Sequence, residues 1–405
     1  MYDACLVRDP IFDRNNALIG YEIRFRDTEE GRAALAQSML SGTFDIVRGG
    51  LPAFITCSRT QLMEHAFIGT DLKSLVLLLA DDIGDEPEVL AVLQKLRAAG
   101  GRFALNSLDE QPSAAEKLAR WMQFARVDFR QDDEKVLAGI CARMAATKPR
   151  FIADQVVDAA GYATALKLGF DAFQGPHFSR AETIPTAQMP ASTVAALRLL
   201  SLARDPNISD RALEDAVSTD PVLTFQLLRL VNSAAVGVKG VSSIGHALRI
   251  VGRTAFLRWL ALAIAASRGS KTGVDQHLVR QAVQRGRLLE GLGGQGRDAG
   301  TLFLVGLFSL MDSVFRMPLH EIVARVALSD EAKAALLDRT GPYARALSFA
   351  ESYELGMFES ALEAAREMGV NTEKLPELYA TAISWTAEAL GAMLTKQPER
   401  KLATR

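Results

Sequence analysis

Over the first 180 residues, short apolar or alternating runs take turns with stretches of helical period. The β-type runs are Ala4–Phe12, Leu18–Arg26, Ala53–Cys57, Leu75–Ala80, Arg102–Leu105, Phe124–Phe129, Arg150–Ala153 and Phe170–Phe173. Between them, Arg32–Val47, Pro87–Ala99, Ala114–Met122, Asp133–Ala146 and Val157–Leu168 read as helices, with Gly100-Gly101 and Gly169 where stop signals belong. Strands alternating with helices predict a parallel α/β sheet, and eight runs suit a closed (β/α)8-type barrel. Leu75–Ala80 (Leu-Val-Leu-Leu-Leu-Ala) is continuously apolar, as in a strand buried on both faces. The first two runs flank Asn15-Asn16 and also read as a hairpin, which would change the count by one.

After Phe178 the pattern changes. Pro185 and Pro190 punctuate a stretch of Thr, Ala and Gln that reads as a linker, 181–190. Beyond it the periodicity is helical: Ser192–Ala203, Ser209–Val217, Pro221–Asn232, Ile244–Ser267, Gln276–Leu292, Ala299–Phe315 and further segments to Met393. Asp220-Pro221 offers a cap followed by proline in the first turn, and Ser329-Asp330-Glu331 puts acid at a helix start. The expected organisation is an α/β barrel over 1–180, the linker, an all-helical domain over 191–396, and a basic tail over 397–405.

Composition narrows the function classes. The 405 residues are 49% hydrophobic and 23% charged, ordinary for a globular protein and too apolar for a disordered one. With 46 Lys+Arg against 48 Asp+Glu, the net charge is −2, so a bulk nucleic-acid binder is not expected. Three cysteines (Cys5, Cys57, Cys141) at unrelated spacings predict neither a disulfide framework nor a zinc ribbon. No apolar run approaches the ~18–20 residues that span a bilayer, and a cytoplasmic protein without membrane contact is expected.

A barrel of this type carries its chemistry at the carboxyl ends of its strands. The polar groups placed there are Glu22, Arg24, Arg26, Thr56, Cys57, Ser58, Asp81, Asp82, Asn106, Ser107, Asp128, Asp154, Gln174 and His177. Two sequence stretches at the correct ends of the barrel pattern carry a family resemblance. Pro10-Ile-Phe-Asp13 with Gly20-Tyr-Glu-Ile-Arg-Phe-Arg26 resembles the opening of an EAL domain, the barrel that binds and hydrolyses cyclic di-GMP. Leu168-Gly-Phe-Asp-Ala-Phe-Gln-Gly175, followed by Phe178-Ser179, resembles its ending. The resemblance implies that Glu22 matches the family's first metal-ligand glutamate and Arg26 its phosphate-contacting arginine.

The interior departs from that pattern. Thr56 stands for the metal-ligand asparagine, Leu78 for the next glutamate and Asn106-Ser107 for the paired aspartates. Arg126 stands for the lysine, and Asp154 with Val157 for the late Glu-x-x-Glu. Losing carboxylates removes the charge that holds hard cations, and arginine is a poor proton acceptor. The expectation is therefore a catalytically inactive EAL domain, with no catalytic residue, metal or cofactor. Glu22, Arg26, Arg126 and Gln174 remain as candidate ligand-binding positions for cyclic di-GMP. The arginines have a structural alternative, for instance an internal salt bridge from Arg24 to Asp128 or Asp154.

The helical half resembles an HDOD domain, an all-helical relative of the HD phosphohydrolases without their metal site. The resemblance rests on Met189-Pro-Ala-Ser192, Leu197–Ala203, Thr219–Ser233 and Val241–Gly252. Asp312 follows Met311 rather than histidine, so no His-Asp pair is present. Residues 221–274 hold no acid, while Arg229, Lys239, Arg249, Arg253, Arg258, Arg268 and Lys271 are basic. Arg249, Arg253 and Arg258 form a candidate partner surface unless acids of other helices pair with them. The EAL-then-HDOD order resembles a bacterial signal-transduction architecture. It implies a non-enzymatic regulator in cyclic di-GMP-linked control, with the barrel as sensor or docking module and the helical domain as output to protein partners. The alternatives are a residual cyclic di-GMP phosphodiesterase using Glu22, Asp81, Asp128 and Asp154, or a nucleic-acid-binding regulator through 229–271.

Overall fold

Eight strands close into a barrel in chain order: β1 (Leu6–Asp13), β2 (Leu18–Phe25), β3 (Ala53–Cys57), β4 (Leu75–Leu79), β5 (Arg102–Leu108), β6 (Phe124–Asp128), β7 (Arg150–Asp154) and β8 (Ala172–Phe173). The computed structural model describes residues 5–394 except 27, 65–66, 68–69, 131–132, 180–190, 206, 267–271, 294–298 and 327. The expected linker and basic tail lie outside the described residues.

The sheet is not wholly parallel. β1 runs antiparallel to both neighbours, and β2 to β8 are parallel. The reversal is built by Asp13, whose carboxylate accepts from the N–H groups of Asn15 (2.8 Å) and Ala17 (2.9 Å), with Asn16 in the left-handed region at φ 57°. Asn15-Asn16 is therefore a hairpin turn, and the strand count is still eight.

Alternation along the strands sets the barrel interior. Ile11, Phe54, Val76, Leu78, Ala104, Phe124, Ile152 and Ala172 form one buried cluster. A step of two residues toward the carboxyl ends places Thr56, Asn106, Arg126, Asp154 and Gln174 in the layer above. The apolar layer thus ends one pleat below the mouth, except on β4, where Leu78 is only 1% exposed. Gly20 sits in the lower layer because a Cβ there would meet the Phe54 ring and the Pro52 carbonyl oxygen, both at 2.9 Å.

β1 meets β8 only through Phe12 and Asp13. The N–H groups of Leu6 and Arg8, off that ladder, are instead taken by the hydroxyls of Tyr353 and Tyr379, each at 3.4 Å. These tyrosines belong to Ser348–Ala380, which with Lys271–His277 packs in the same unit as Met1–Ala181. Within that unit Tyr353 stacks near Phe349, Phe358 and Tyr379 (centroids 5.3–6.0 Å apart), and buried His277 lies edge-on to Phe12 at 5.8 Å. A bare strand edge is a template for unwanted pairing; here helices from the end of the chain cover it.

The second unit, Glu182–Ser270 with Leu278–Leu347 and Thr381–Arg405, is helical where described. Asp220 caps the helix Pro221–Val231 through the N–H groups of Val222 and Leu223, each at 3.0 Å. The expected single helix from Ile244 is broken at Gly252, whose φ of 75° and ψ of 164° are open to glycine alone. The Asn232 side chain ties the loop that follows its helix, donating to the carbonyls of Leu228 and Val241 and accepting from the Val241 N–H. Leu197, Leu200, Leu213, Leu227, Phe256 and Leu260 are among the core residues.

Candidate functional site at the barrel mouth

Glu22, on β2, is 6% exposed and holds the centre of the mouth. One carboxylate oxygen accepts from Arg126 of β6 at 2.8 Å and the other from the Gln174 amide at 2.6 Å. Arg126 also donates to the Asn106 carbonyl and side-chain oxygens, both at 2.6 Å, and lies 3.6 Å from the Asp154 carboxylate. Three of the four candidate binding residues, Glu22, Arg126 and Gln174, are thus in one hydrogen-bonded network with Asn106 and Asp154.

Gln174 is held there by backbone geometry. Its N–H donates to the Ala153 carbonyl at 2.8 Å, and its own carbonyl accepts from Val156 at 3.0 Å. Gly175 follows at φ 136°, and a Cβ on it would come within 2.4 Å of the Val156 nitrogen. The Gln-Gly pair is therefore a structural requirement for presenting the amide. Among the described residues, Gln174 Oε1 and Arg24 Nε are buried at the mouth with no hydrogen-bond partner, an acceptor and a donor left open.

The fourth candidate, Arg26, lies further up the same face of β2 and pairs with Glu359 at 2.5 Å rather than joining the network. Arg24, expected to reach Asp128 or Asp154, instead pairs with Asp9 on β1 and donates to the Leu355 carbonyl at 2.9 Å. The antiparallel pairing places Asp9 directly opposite Glu22, which a parallel reading of β1 does not provide. Asp128 is occupied by Arg130, two residues along.

These contacts set the charge states. Burial pushes the Glu22 carboxyl up, but Arg126, Arg24 and the hydrogen bonds from Gln174 and Arg126 outweigh it and hold the acid below its usual range. Asp154 is raised, mainly by burial, with Arg126 offsetting only part. Asp9 is pushed up to about 7 by burial, against Arg24 and with Glu22 adding to the rise. Burial lifts the Cys57 thiol to about 12, which disqualifies it as a nucleophile at neutral pH.

The residues present do not fit the metal ions the resemblance implies. Among the described residues no three His, Cys, Asp or Glu side chains converge as a metal-ligand group. The guanidinium of Arg126 already stands beside Glu22 and Asp154, where it neutralises the acids a cation would need.

The candidate partner surface does not assemble as an open positive face. Arg253 is bound to Asp210 and to the carbonyls of Asp205 and Ile208, and Arg258 pairs with Glu290, which Arg287 also holds at 2.6 Å. Arg249 is exposed. Asp9 and Glu359 were missed from sequence. Asp9 had a signal, a charge within a strand run just ahead of Pro10-Ile-Phe-Asp13. Glu359 had none, being 333 positions from Arg26.

Residues 189–324 match the HDOD domain family. The chain is 25% identical over 407 residues to the cyclic di-GMP phosphodiesterase CdgJ of Vibrio cholerae, covering 96% of this chain and 93% of that protein. It is 23% identical over 408 residues to the uncharacterized protein YuxH of Bacillus subtilis, covering 96% and 99%. Among solved structures, similarity extends to the Bacillus subtilis YkuI protein, with an EAL domain, in complex with cyclic di-GMP and calcium (16% identity, TM-score 0.37, 43% of this chain and 54% of that one). No helix among the described residues is long and apolar enough to cross a membrane.

The expectation of a non-enzyme is corrected by this comparison, since a relative matched along nearly its whole length is named a phosphodiesterase. The expectation counted carboxylates lost at the family's ligand positions. It left out Asp9, which brings a further acid to the mouth with a pKa near neutrality.

Proposed function

We propose, for a chain that joins an EAL-type barrel to an HDOD domain, a role in cyclic di-GMP control in which the barrel mouth binds the dinucleotide and cleaves one of its phosphodiesters. The observation that carries this reading is the mouth itself. It gathers a buried ionised glutamate and two arginines from β2, and two further acids with raised pKa values, Asp154 at the carboxyl end of β7 and Asp9 from the antiparallel β1. Whole-length similarity to a named cyclic di-GMP phosphodiesterase supports it.

In this reading Arg26 and Arg24 pair with the phosphodiester oxygens. The open acceptor of Gln174 takes a donor of the ligand's base or ribose. Water adds to phosphorus, the bridging P–O bond breaks, and the product is the linear dinucleotide. An acid that titrates near neutral pH, as Asp9 does, suits the proton exchange this needs. Glu22 is a positioning residue, fixing Arg126 and Gln174.

The HDOD unit serves as the partner-binding output. Val222 (67% exposed) and Phe225 (38%) lie three positions apart on its helix Pro221–Val231, with Arg229 over the Phe225 ring at 5.5 Å. An apolar pair beside a cation favours a protein partner over nucleic acid.

The test is incubation of the full chain with cyclic di-GMP, with Mn²⁺, with Mg²⁺ and with a chelator, followed by chromatography of the nucleotide. Conversion to the linear product that Glu22→Ala abolishes is the expected result. Intact nucleotide in all three conditions would overturn the assignment of hydrolysis.

A further inference from the structure

We propose that the turn Leu355–Glu359 is a fixed strap on the barrel mouth with one displaceable group, the Glu359 carboxylate, which occupies the seat on Arg26 that a phosphodiester oxygen of the dinucleotide takes. This deepens the function proposed above and rests on it.

The strap is rigidly built. The helix Ala344–Glu354 ends in a Schellman motif: the Met357 N–H donates to the Ser352 carbonyl at 2.9 Å, and the Gly356 N–H to the Tyr353 carbonyl at 3.0 Å. Gly356 takes the left-handed conformation the motif needs, φ 70°. That geometry leaves the Leu355 carbonyl outside the helix ladder, where it accepts from Arg24. The next helix begins at Phe358, which delivers Glu359 to Arg26 in its first turn.

The position of the turn is what makes it a strap. A cavity of about 380 Å³ opens at the mouth, lined by Glu22, Arg24, Arg26 and Ser58 from the barrel and by Gly356 and Phe358 from the turn. A Cβ on Gly356 would stand 2.9 Å from the Arg24 guanidinium, so the backbone rides closer to that arginine than a side chain at 356 would permit unless the arginine shifted. Both arginines of the β2 face therefore have a ligand from the strap, one a carbonyl and one a carboxylate. The Nε of Arg24 still has no acceptor.

The two contacts differ in how readily they yield. Glu359 is 77% exposed, and an ion pair so open to water contributes on the order of 0–1 kcal/mol. A phosphodiester bound bidentately by the same guanidinium is the stronger partner, so Glu359 gives way without the helix moving. The Leu355 carbonyl is fixed by the Schellman turn and stays. The strap then acts as a threshold: the ligand must displace one carboxylate before it binds, and anything that pulls the helix Phe358–Glu367 aside lowers that threshold.

The test is equilibrium titration of the full chain with cyclic di-GMP at fixed ionic strength, comparing the unaltered protein with Glu359→Ala and Glu363→Ala. The second variant removes the same charge one helical turn away. Glu359→Ala is expected to tighten binding by about 3- to 10-fold, Glu363→Ala by less than about 2-fold, and Arg26→Ala added to Glu359→Ala to erase the gain. Equal affinity for the unaltered chain and Glu359→Ala overturns the strap while leaving the proposed function standing. Equal tightening by both glutamate variants overturns it too, as a general charge effect. No binding by any of the chains overturns the function, and the strap falls with it.

Discussion

Arg126 is the residue on which the mouth's electrostatics turn. It takes Glu22, Asn106 and Asp154 at once, so a neutral replacement leaves a buried carboxylate without its cation. Arg126→Met is expected to cost about 3–5 kcal/mol in urea unfolding at pH 7. Without Arg126 the Glu22 carboxyl rises, so the loss should shrink as the pH is lowered and the acid takes up its proton. Asp9 works in the opposite sense. Its folded pKa of about 7 lies above the unfolded value, so the folded state keeps a proton that the unfolded chain has released. That contribution to stability falls as pH rises from about 4 to 7. Asp9→Asn should flatten the slope in that window; parallel unfolding profiles for the two proteins would refute the assignment. The strand-end reading reached Glu22 and Gln174, and the family resemblance supplied Arg126; in the fold the three meet because side chains two apart along a strand share a face. The partners of Arg24 and Arg26 were beyond it, since neither Asp9's antiparallel register nor Glu359's approach is a local property.

At the scale of elements, the strands were readable because their burial leaves a plain mark: Leu75–Leu79 is apolar at every position and buried at every position. Helix ends were less so. The expected helix Arg32–Val47 is two helices, Glu29–Ser41 and Thr43–Arg48, parted by Gly42 at φ 78°. The expected helix at 114–122 is a 3-10 segment, Ala114–Trp121. Short amphipathic stretches carry the same apolar spacing in either form, and the choice falls to packing. The cover on β1 is an element-scale contact with a measurable share. Tyr353→Phe keeps the ring but removes the acceptor for the Leu6 N–H, so a loss of about 1 kcal/mol is expected. Amide exchange at Leu6 should quicken in the variant, and unchanged exchange there would show that the hydroxyl does not protect the edge.

For the whole molecule, chain order and structural unit part company. Residues Ser348–Ala380, deep in the helical stretch of the sequence, pack with the barrel and supply both its edge cover and its strap. A fragment of residues 1–180 should therefore keep strand content by circular dichroism yet elute as soluble aggregates, and the full chain run beside it should not. A monodisperse fragment would mean that the tyrosine contacts are dispensable.

The same arrangement bears on synthesis. The last barrel strand ends at Phe173, and the first hydroxyl that takes an N–H on the β1 edge belongs to Tyr353. At about 5–20 residues per second, a ribosome leaves that edge bare for on the order of ten to thirty seconds after the barrel's own strands have emerged. During that interval the nascent protein resembles the fragment, with a template for mispairing and an ungated mouth. Translational pausing before residue 348 or premature termination would lengthen that exposure, overproduction would raise the concentration of exposed chains, and a truncated product would carry a mouth without its strap.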